Sequence, residues 1–143
     1  RKSLLTPALP IPSEIFYDWW LALQAQVNGG LQFIDDILVY QRAHDNNVTI
    51  ASNVSQKELR NNYRKMLAIH LKAFTQIKGL SKIDKLFFSN FNKFWNESLT
   101  KNYSCGLFVF IMKHRKHLFY YKKRRLPLLA AIKHSFLFAF RRC

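Results

Sequence analysis

Two consecutive helices are signalled between residues 55 and 97, and they constrain the fold more than any other feature. Ser55-Gln56-Lys57-Glu58 matches a capping box, in which the Ser and Glu side chains satisfy each other's free backbone donors. Gly79 is placed to end the first helix, and Ser81 to cap the second. Both carry apolar side chains at helical spacing: Leu59, Tyr63, Met66, Leu67, His70, Phe74 and Ile77 in the first, and Ile83, Phe87, Phe91, Phe94 and Trp95 in the second.

The N-terminal part begins with a proline-rich stretch. Pro7, Pro10 and Pro12 disfavour a helix, so residues 1–12 are predicted to form an extended arm. Ser13 is then expected to cap a helix that ends at Asn28-Gly29-Gly30. Its apolar face would consist of Ile15, Phe16, Trp19, Trp20, Leu23 and Val27.

A further helix is predicted over residues 31–44, which leads to a loop at residues 45–53. The fold class predicted from these patterns is mainly α, as a single helical domain of four to six helices. The predicted division of the chain is an extended arm at 1–12, a helical domain at 13–101 and a basic C-terminal extension at 102–143. That extension is rich in aromatic residues, and we expect it to pack on the domain or on a partner.

The segment that follows Gly106 allows two structures. Leu-Phe-Val-Phe-Ile-Met is rich in strand formers, so a hairpin turning at residues 113–116 is one possibility. A helix fits at least as well, because one side of it is then an apolar arc: Leu107, Phe108, Ile111, Met112, Leu118 and Phe119. The opposite side is a basic stripe: Lys113, Lys116, His117, Tyr120, Lys123 and Arg124. Arg115 falls within that arc, so it must either extend its charge to solvent or mark a break in the helix. Pro127 is expected to start a last helix that is apolar around most of its circumference.

The net charge of +15 is concentrated towards the C-terminus. Residues 98–143 contain eleven Lys and Arg and no acid, whereas residues 1–56 contain three Lys and Arg against five acids. A compact domain with this charge repels itself, and a polyanionic partner would relieve the repulsion. The distribution therefore favours an anionic partner that is contacted mainly by the C-terminal third.

The basic run Lys-His-Arg-Lys-His-Leu-Phe-Tyr-Tyr-Lys-Lys-Arg-Arg at residues 113–125 predicts an RNA-binding surface. Cations at phosphate spacing release condensed counterions, and Tyr or His rings can stack on unpaired bases. The predicted RNA-binding residues are Lys113, Arg115, Lys116, His117, Tyr120, Tyr121, Lys122, Lys123, Arg124, Arg125, Lys133, Arg141 and Arg142.

These patterns lead to the hypothesis of a structural RNA-binding subunit of a large ribonucleoprotein, docking on rRNA through the C-terminal third. Residues encoded by A/T-rich codons outnumber those encoded by G/C-rich codons about two to one, which indicates an A/T-rich genome, such as that of an organelle or of an A/T-biased microbe. The expected class is therefore a mitochondrial ribosomal protein, on the matrix side. Trp19, Trp20 and other aromatic or apolar surface would contact neighbouring protein subunits.

Two alternatives use the same residues. A basic amphipathic helix beside Leu-Leu-Ala-Ala-Ile-Lys-His-Ser-Phe could lie on anionic lipid, as part of an accessory scaffold subunit of an organellar membrane complex. The helices at residues 55–78 and 82–97 could also form a helix-turn-helix DNA-binding motif, although the second has few base-reading side chains. Of the three hypotheses, RNA binding accounts best for the charge.

Little in the sequence supports a metal site or a catalytic site. His114 and His117, with Cys105 and Cys143, do not follow a zinc-binding spacing. No nucleophile elbow, phosphate-binding loop or dinucleotide-binding turn is present. We therefore expect no metal, no cofactor and no enzymatic activity. Four Asn-x-Ser/Thr sequons, at Asn47, Asn53, Asn96 and Asn102, are interpreted as helix-boundary residues.

Overall fold

The computed structural model describes residues 2–32, 35–36, 40, 55–119 and 127–140. These residues form seven α-helices, which confirms the mainly α class. The helices are α1 (Lys2–Ala8), α2 (Tyr17–Val27), α3 (Gln56–Phe74), α4 (Lys82–Thr100), α5 (Cys105–Lys113), α6 (Arg115–Leu118) and α7 (Pro127–Ala139).

The chain divides into two compact units, Arg1–Leu67 and Ala68–Cys143, and α3 runs across the boundary. Each unit is described by itself. The predicted three-part division at residues 12 and 101 stays a prediction.

In the first unit, α1 corrects the predicted extended arm. Residues 2–8 are helical, with Pro7 inside the helix. A proline removes one backbone donor, but the remaining turn is closed by Leu9 N–H donating to the Leu5 carbonyl at 3.0 Å. The indole Nε1 of Trp20 also donates to the Ala8 carbonyl at 2.8 Å. The side chain that holds the end of α1 therefore comes from the next helix, which the local proline pattern could not reveal.

Helix α2 begins later than predicted and ends where predicted. Ser13 caps nothing, because the chain turns at residues 12–15, where Ile15 N–H donates to the Pro12 carbonyl at 3.4 Å. Phe16 is the residue before the first turn and makes no side-chain cap. At the other end, Asn28 N–H donates to the Gln24 carbonyl at 3.0 Å, and the two glycines that follow have positive φ.

The helix predicted over residues 31–44 is not found where the structure describes that stretch. Residues 31, 32, 35, 36 and 40 are all non-helical, and the others lie outside the described residues. Asp35 and Asp36 are adjacent poor helix formers of like charge, which weakens any helix through them.

The capping signals around α3 and α4 are confirmed at both helix starts. Ser55 Oγ accepts from Glu58 N–H at 3.2 Å, and Ser81 Oγ accepts from Asp84 N–H at 3.1 Å. Helix α3 ends at Phe74 rather than near Gly79. Beyond Phe74 the backbone bonds tighten to residues three apart, with Thr75 N–H donating to the Lys72 carbonyl at 3.2 Å and Gln76 N–H to the Ala73 carbonyl at 2.9 Å. Thr75 Oγ1 donates to the same Lys72 carbonyl at 2.7 Å.

The core of the second unit is aromatic and lies between α4 and α5. Phe110 is at its centre, with ring centroids 5.1 Å from Phe87, 5.2 Å from Phe91 and 6.1 Å from Phe94. A Cβ at Gly106 would lie 2.5 Å from the Phe94 ring, so the two helices approach closely only because this residue is glycine. Trp95, also on the predicted α4 face, is 1% exposed.

Two further core predictions have opposite outcomes. His70 is fully buried and its ring packs edge-on against Phe74 at 6.0 Å, which confirms its predicted place on the inward side of α3. Ile83, predicted to face inward, is instead 80% exposed. It lies in the first turn of α4, before the part of the helix that contacts Phe110, so helical spacing alone placed it wrongly.

Residues 105–113 and 115–118 are helical, so the hairpin alternative is wrong. Helix α5 covers the Leu-Phe-Val-Phe-Ile-Met segment, and the helix is interrupted at His114. A break at Arg115 was one of the two predicted outcomes for that residue. Helix α7 starts at Pro127 as expected and packs on α5.

Candidate nucleic-acid interface

The second unit carries nearly all of the protein's excess charge. Residues 68–143 contain sixteen Lys and Arg against two acids, a net +14 of the total +15. The first unit contains seven Lys and Arg against six acids, a net +1. The asymmetry that the sequence shows along the chain is therefore an asymmetry between two compact units.

Both acids of the second unit have local structural roles. Asp84 accepts a hydrogen bond from Ser81 Oγ at 2.7 Å, at the start of α4. Glu97, near the end of the same helix, accepts from Ser104 Oγ at 2.8 Å and from Lys101 Nζ at 3.3 Å. The Ser104 hydroxyl, followed by the Lys101 ammonium, lowers the pKa of Glu97.

The predicted continuous stripe of cations is interrupted. Lys113 is the last residue of α5, whereas Lys116 and His117 lie on α6. His114 separates the two helices with φ −98° and ψ 13°, so the single helical register assumed for residues 113–124 is wrong at its start. Lys113, Lys116 and His117 are nevertheless all exposed.

Arg115 explains the break. Its guanidinium Nη1 donates to the Met112 carbonyl at 3.0 Å, which satisfies one of the acceptors left free at the end of α5. Arg115 is only half-buried, so part of its charge stays accessible. It therefore closes a helix end and can also contribute to the basic surface.

Lys133 is the one predicted site residue that the structure describes on α7, and it is exposed. Lys113, Lys116 and Lys133 form no ion pair with an acid anywhere in the described ranges. Their charges are thus available to an anionic ligand. The remaining predicted residues lie outside the described ones: Tyr120, Tyr121, Lys122, Lys123, Arg124, Arg125, Arg141 and Arg142.

His114, which was considered as a metal ligand, packs on aromatic rings. Its centroid lies 4.9 Å from Phe87 and 4.6 Å from Phe110. This burial, followed by the charges of Lys113 and His117, lowers the pKa of His114. No group of three or more potential ligands comes together among the residues with a described position.

Of the two sequons within the described part, the first lies inside a helix and the second at a helix boundary. Asn96 and Ser98 belong to α4, where Asn96 donates to the Asn92 carbonyl at 2.8 Å and Ser98 is fully buried. In the second sequon, Ser104 is 1% exposed and accepts from Leu107 N–H at 3.0 Å as the cap of α5. The interpretation as helix-boundary residues therefore fits the sequon at Asn102 and not the one at Asn96. Asn47 and Asn53 lie outside the described residues.

Trp20 does not take the role predicted for it. It is 6% exposed and its indole donor is occupied by Ala8, so it belongs to the interior of the first unit. Trp19 is half-buried and packs edge-on against Phe16 at 6.1 Å. Phe16, which is 50% exposed, is therefore more accessible to a neighbouring subunit than Trp20 is.

An exposed apolar face on α7 was only partly anticipated. The sequence predicted a helix apolar around most of its circumference, but not which side would be covered. The structure buries Ala131, Ser135 and Ala139, one small residue per turn. Larger apolar side chains stay exposed on the same helix: Leu128, Leu129, Ile132, Phe136 and Leu137. The i, i+4 repeat of small residues was the signal that could have identified the buried side.

Comparisons with known proteins give no family. No protein-family model, curated protein or solved structure matches the chain. Among the helices that the structure describes, none combines the length and apolar character needed to cross a membrane.

Proposed function

We propose that the protein is a structural RNA-binding subunit of a large ribonucleoprotein, of the organellar ribosomal class, located on the matrix side of mitochondria. One observation carries the proposal. The second unit has a net charge of +14 in its sequence, and its exposed Lys113, Lys116 and Lys133 form no ion pair with a described acid.

The charge favours a polyanion with closely spaced phosphates. Each cation that neutralises a phosphate releases a condensed counterion, so a concentrated cluster gains more than scattered surface charge. Exposed His117 and the tyrosines that follow it in sequence supply rings that can stack on unpaired bases. RNA, whose loops present unpaired bases beside phosphates, fits both components of this surface.

The test is a filter-binding titration of the full chain against structured rRNA fragments at several salt concentrations. Affinity should fall steeply with salt, with a logarithmic slope of roughly −0.7 to −0.9 per phosphate neutralised. The triple variant K113Q/K116Q/K133Q should bind about tenfold or more weakly and show a slope shallower by about two to three.

A matched control neutralises three exposed lysines of the same unit that precede the acid-free segment, as K78Q/K82Q/K85Q. It removes the same charge and should lose less affinity. If both triple variants bind RNA equally well, or if affinity is insensitive to salt, the C-terminal third is not the RNA-binding surface.

A further inference from the structure

Helix α7 has three parallel rows of side chains with different environments. Ala131, Ser135 and Ala139 form a row that is at most 4% exposed. The next row around the helix consists of Leu128, Ile132 and Phe136, which are 53%, 39% and 43% exposed. Beyond it, Lys133 lies between Leu129 and Leu137, which are 59% and 53% exposed. The helix thus buries its small residues and presents its large apolar ones.

The exposed rows form a contiguous surface rather than scattered apolar residues. Residues four apart are neighbours along a helix face, so five large apolar side chains adjoin one another with one lysine among them. The Phe136 ring is stacked on Phe140 with centroids 4.7 Å apart, which supports the ring at one end of the surface. Contiguous apolar patches of this kind mark contact sites in soluble chains.

The chain surrounding this surface is strongly cationic. Four cations, Lys122–Arg125, precede Pro127, and Arg141 and Arg142 follow Ala139 closely in sequence. No acid occurs anywhere from residue 98 to the C-terminal residue of the sequence. In sequence, cations therefore flank the apolar rows on both sides, and Lys133 lies among the exposed apolar side chains themselves.

We infer that α7 is an interfacial helix that lies on an anionic lipid bilayer, with its two exposed rows in the boundary between headgroups and acyl chains. A helix of 13 residues is about 20 Å long, which is too short for a hydrocarbon core of about 30 Å but sufficient to lie in the interface. The lysine extends its ammonium to the headgroups, and the flanking basic clusters bind anionic lipid.

This occupant satisfies both properties of the surface. RNA would neutralise the cations but leave the leucines in water, whereas an apolar protein face would cover the leucines but not use the cations. An anionic bilayer does both. The inference does not rest on RNA binding, because α7 contributes only Lys133 to the described part of the proposed RNA surface.

The test is flotation of the full chain with phosphatidylcholine vesicles that contain or lack phosphatidylserine. The wild type should float with the anionic vesicles only. The variant L129Q/L137Q should lose about tenfold or more in vesicle affinity, since it removes two apolar side chains that would be buried in the interface. The control I83Q/L86Q makes a comparable change at residues of α4 that are 80% and 62% exposed, and it should bind like the wild type.

Three results would overturn the inference. The wild type could fail to float with anionic vesicles, or the two double variants could bind equally well. Third, the wild type could fail to bind vesicles and instead self-associate without lipid, as measured by sedimentation, with L129Q/L137Q abolishing the self-association. The exposed apolar rows of α7 would then join copies of this chain. RNA affinity, measured on the same variants, should be unchanged by L129Q/L137Q, so failure of one proposal is separable from failure of the other.

Discussion

His114 lies where the basic run meets the aromatic core. Its ring contacts Phe87 and Phe110, while its sequence neighbours Lys113 and Arg115 carry charges of the surface. His117 but not His114 was predicted to bind RNA, yet nothing in the charged run showed that the His114 ring would pack on the core. The structure separates them through the break after Lys113, which turns one histidine onto the core and leaves the other exposed.

The lowered pKa of His114 predicts a dependence of stability on pH. Since burial depresses the pKa in the folded state, the unfolded chain takes up the proton at the higher pH, about 6.5. The stabilisation is therefore complete above that pH and declines as the pH falls through it. Thermal unfolding should therefore show a melting temperature that decreases as the pH is lowered from neutral through about 6.5.

His114→Phe should reduce this pH dependence, because an uncharged ring can occupy the same place between Phe87 and Phe110. His117→Gln removes one of the charges that lower the pKa of His114 and leaves the buried ring in place, so it should weaken the pH dependence less than His114→Phe does. Equal pH dependence in His114→Phe and the wild type would show that His114 is not the group responsible.

Among the helices, the starts of α3 and α4 were predicted correctly, whereas the cap at Ser13 and the helix over residues 31–44 were not. Ser55 and Ser81 mark helix starts with hydrogen bonds that involve residues three positions away, so a short window contains the whole argument. Helix α1 was missed because its end is held by Trp20, twelve residues beyond Ala8. Ile83 was misplaced for a related reason, since only the packing partner of α4 decides how far its apolar stripe is covered.

The buried small row of α7 predicts an asymmetric response to added volume. Ala131→Leu inserts a larger side chain at a position that is 4% exposed, on a helix that packs on α5, and should destabilise the protein by about 1–3 kcal/mol. Ala22→Leu makes the same change at an exposed position of α2 and should alter stability by less than about 0.5 kcal/mol. Urea denaturation measures both, and similar midpoints for the two variants would contradict the packing of α7 described above.

For the whole molecule, charge is the property that the sequence predicted most directly. The acid-free segment of residues 98–143 could be identified by inspection, and the structure places it in a unit with a net +14. The sequence could not predict which cations are free to bind an anionic ligand, because that depends on contacts such as the hydrogen bond from Arg115 to the Met112 carbonyl. The exposed side of α7 was not predicted, because an apolar helix is equally compatible with complete burial and the i, i+4 row of small residues that marks the buried side was not used.

We propose that the protein is a subunit of a ribonucleoprotein, and sedimentation of the native protein is a direct test of that proposal. A detergent-solubilised extract of the source organelle is separated on a density gradient with and without RNase treatment, and the detergent removes any contribution from membranes. We predict that the protein sediments with large particles and moves to light fractions after RNase. Sedimentation in light fractions before treatment, or with large particles after complete RNA digestion, would contradict the claim.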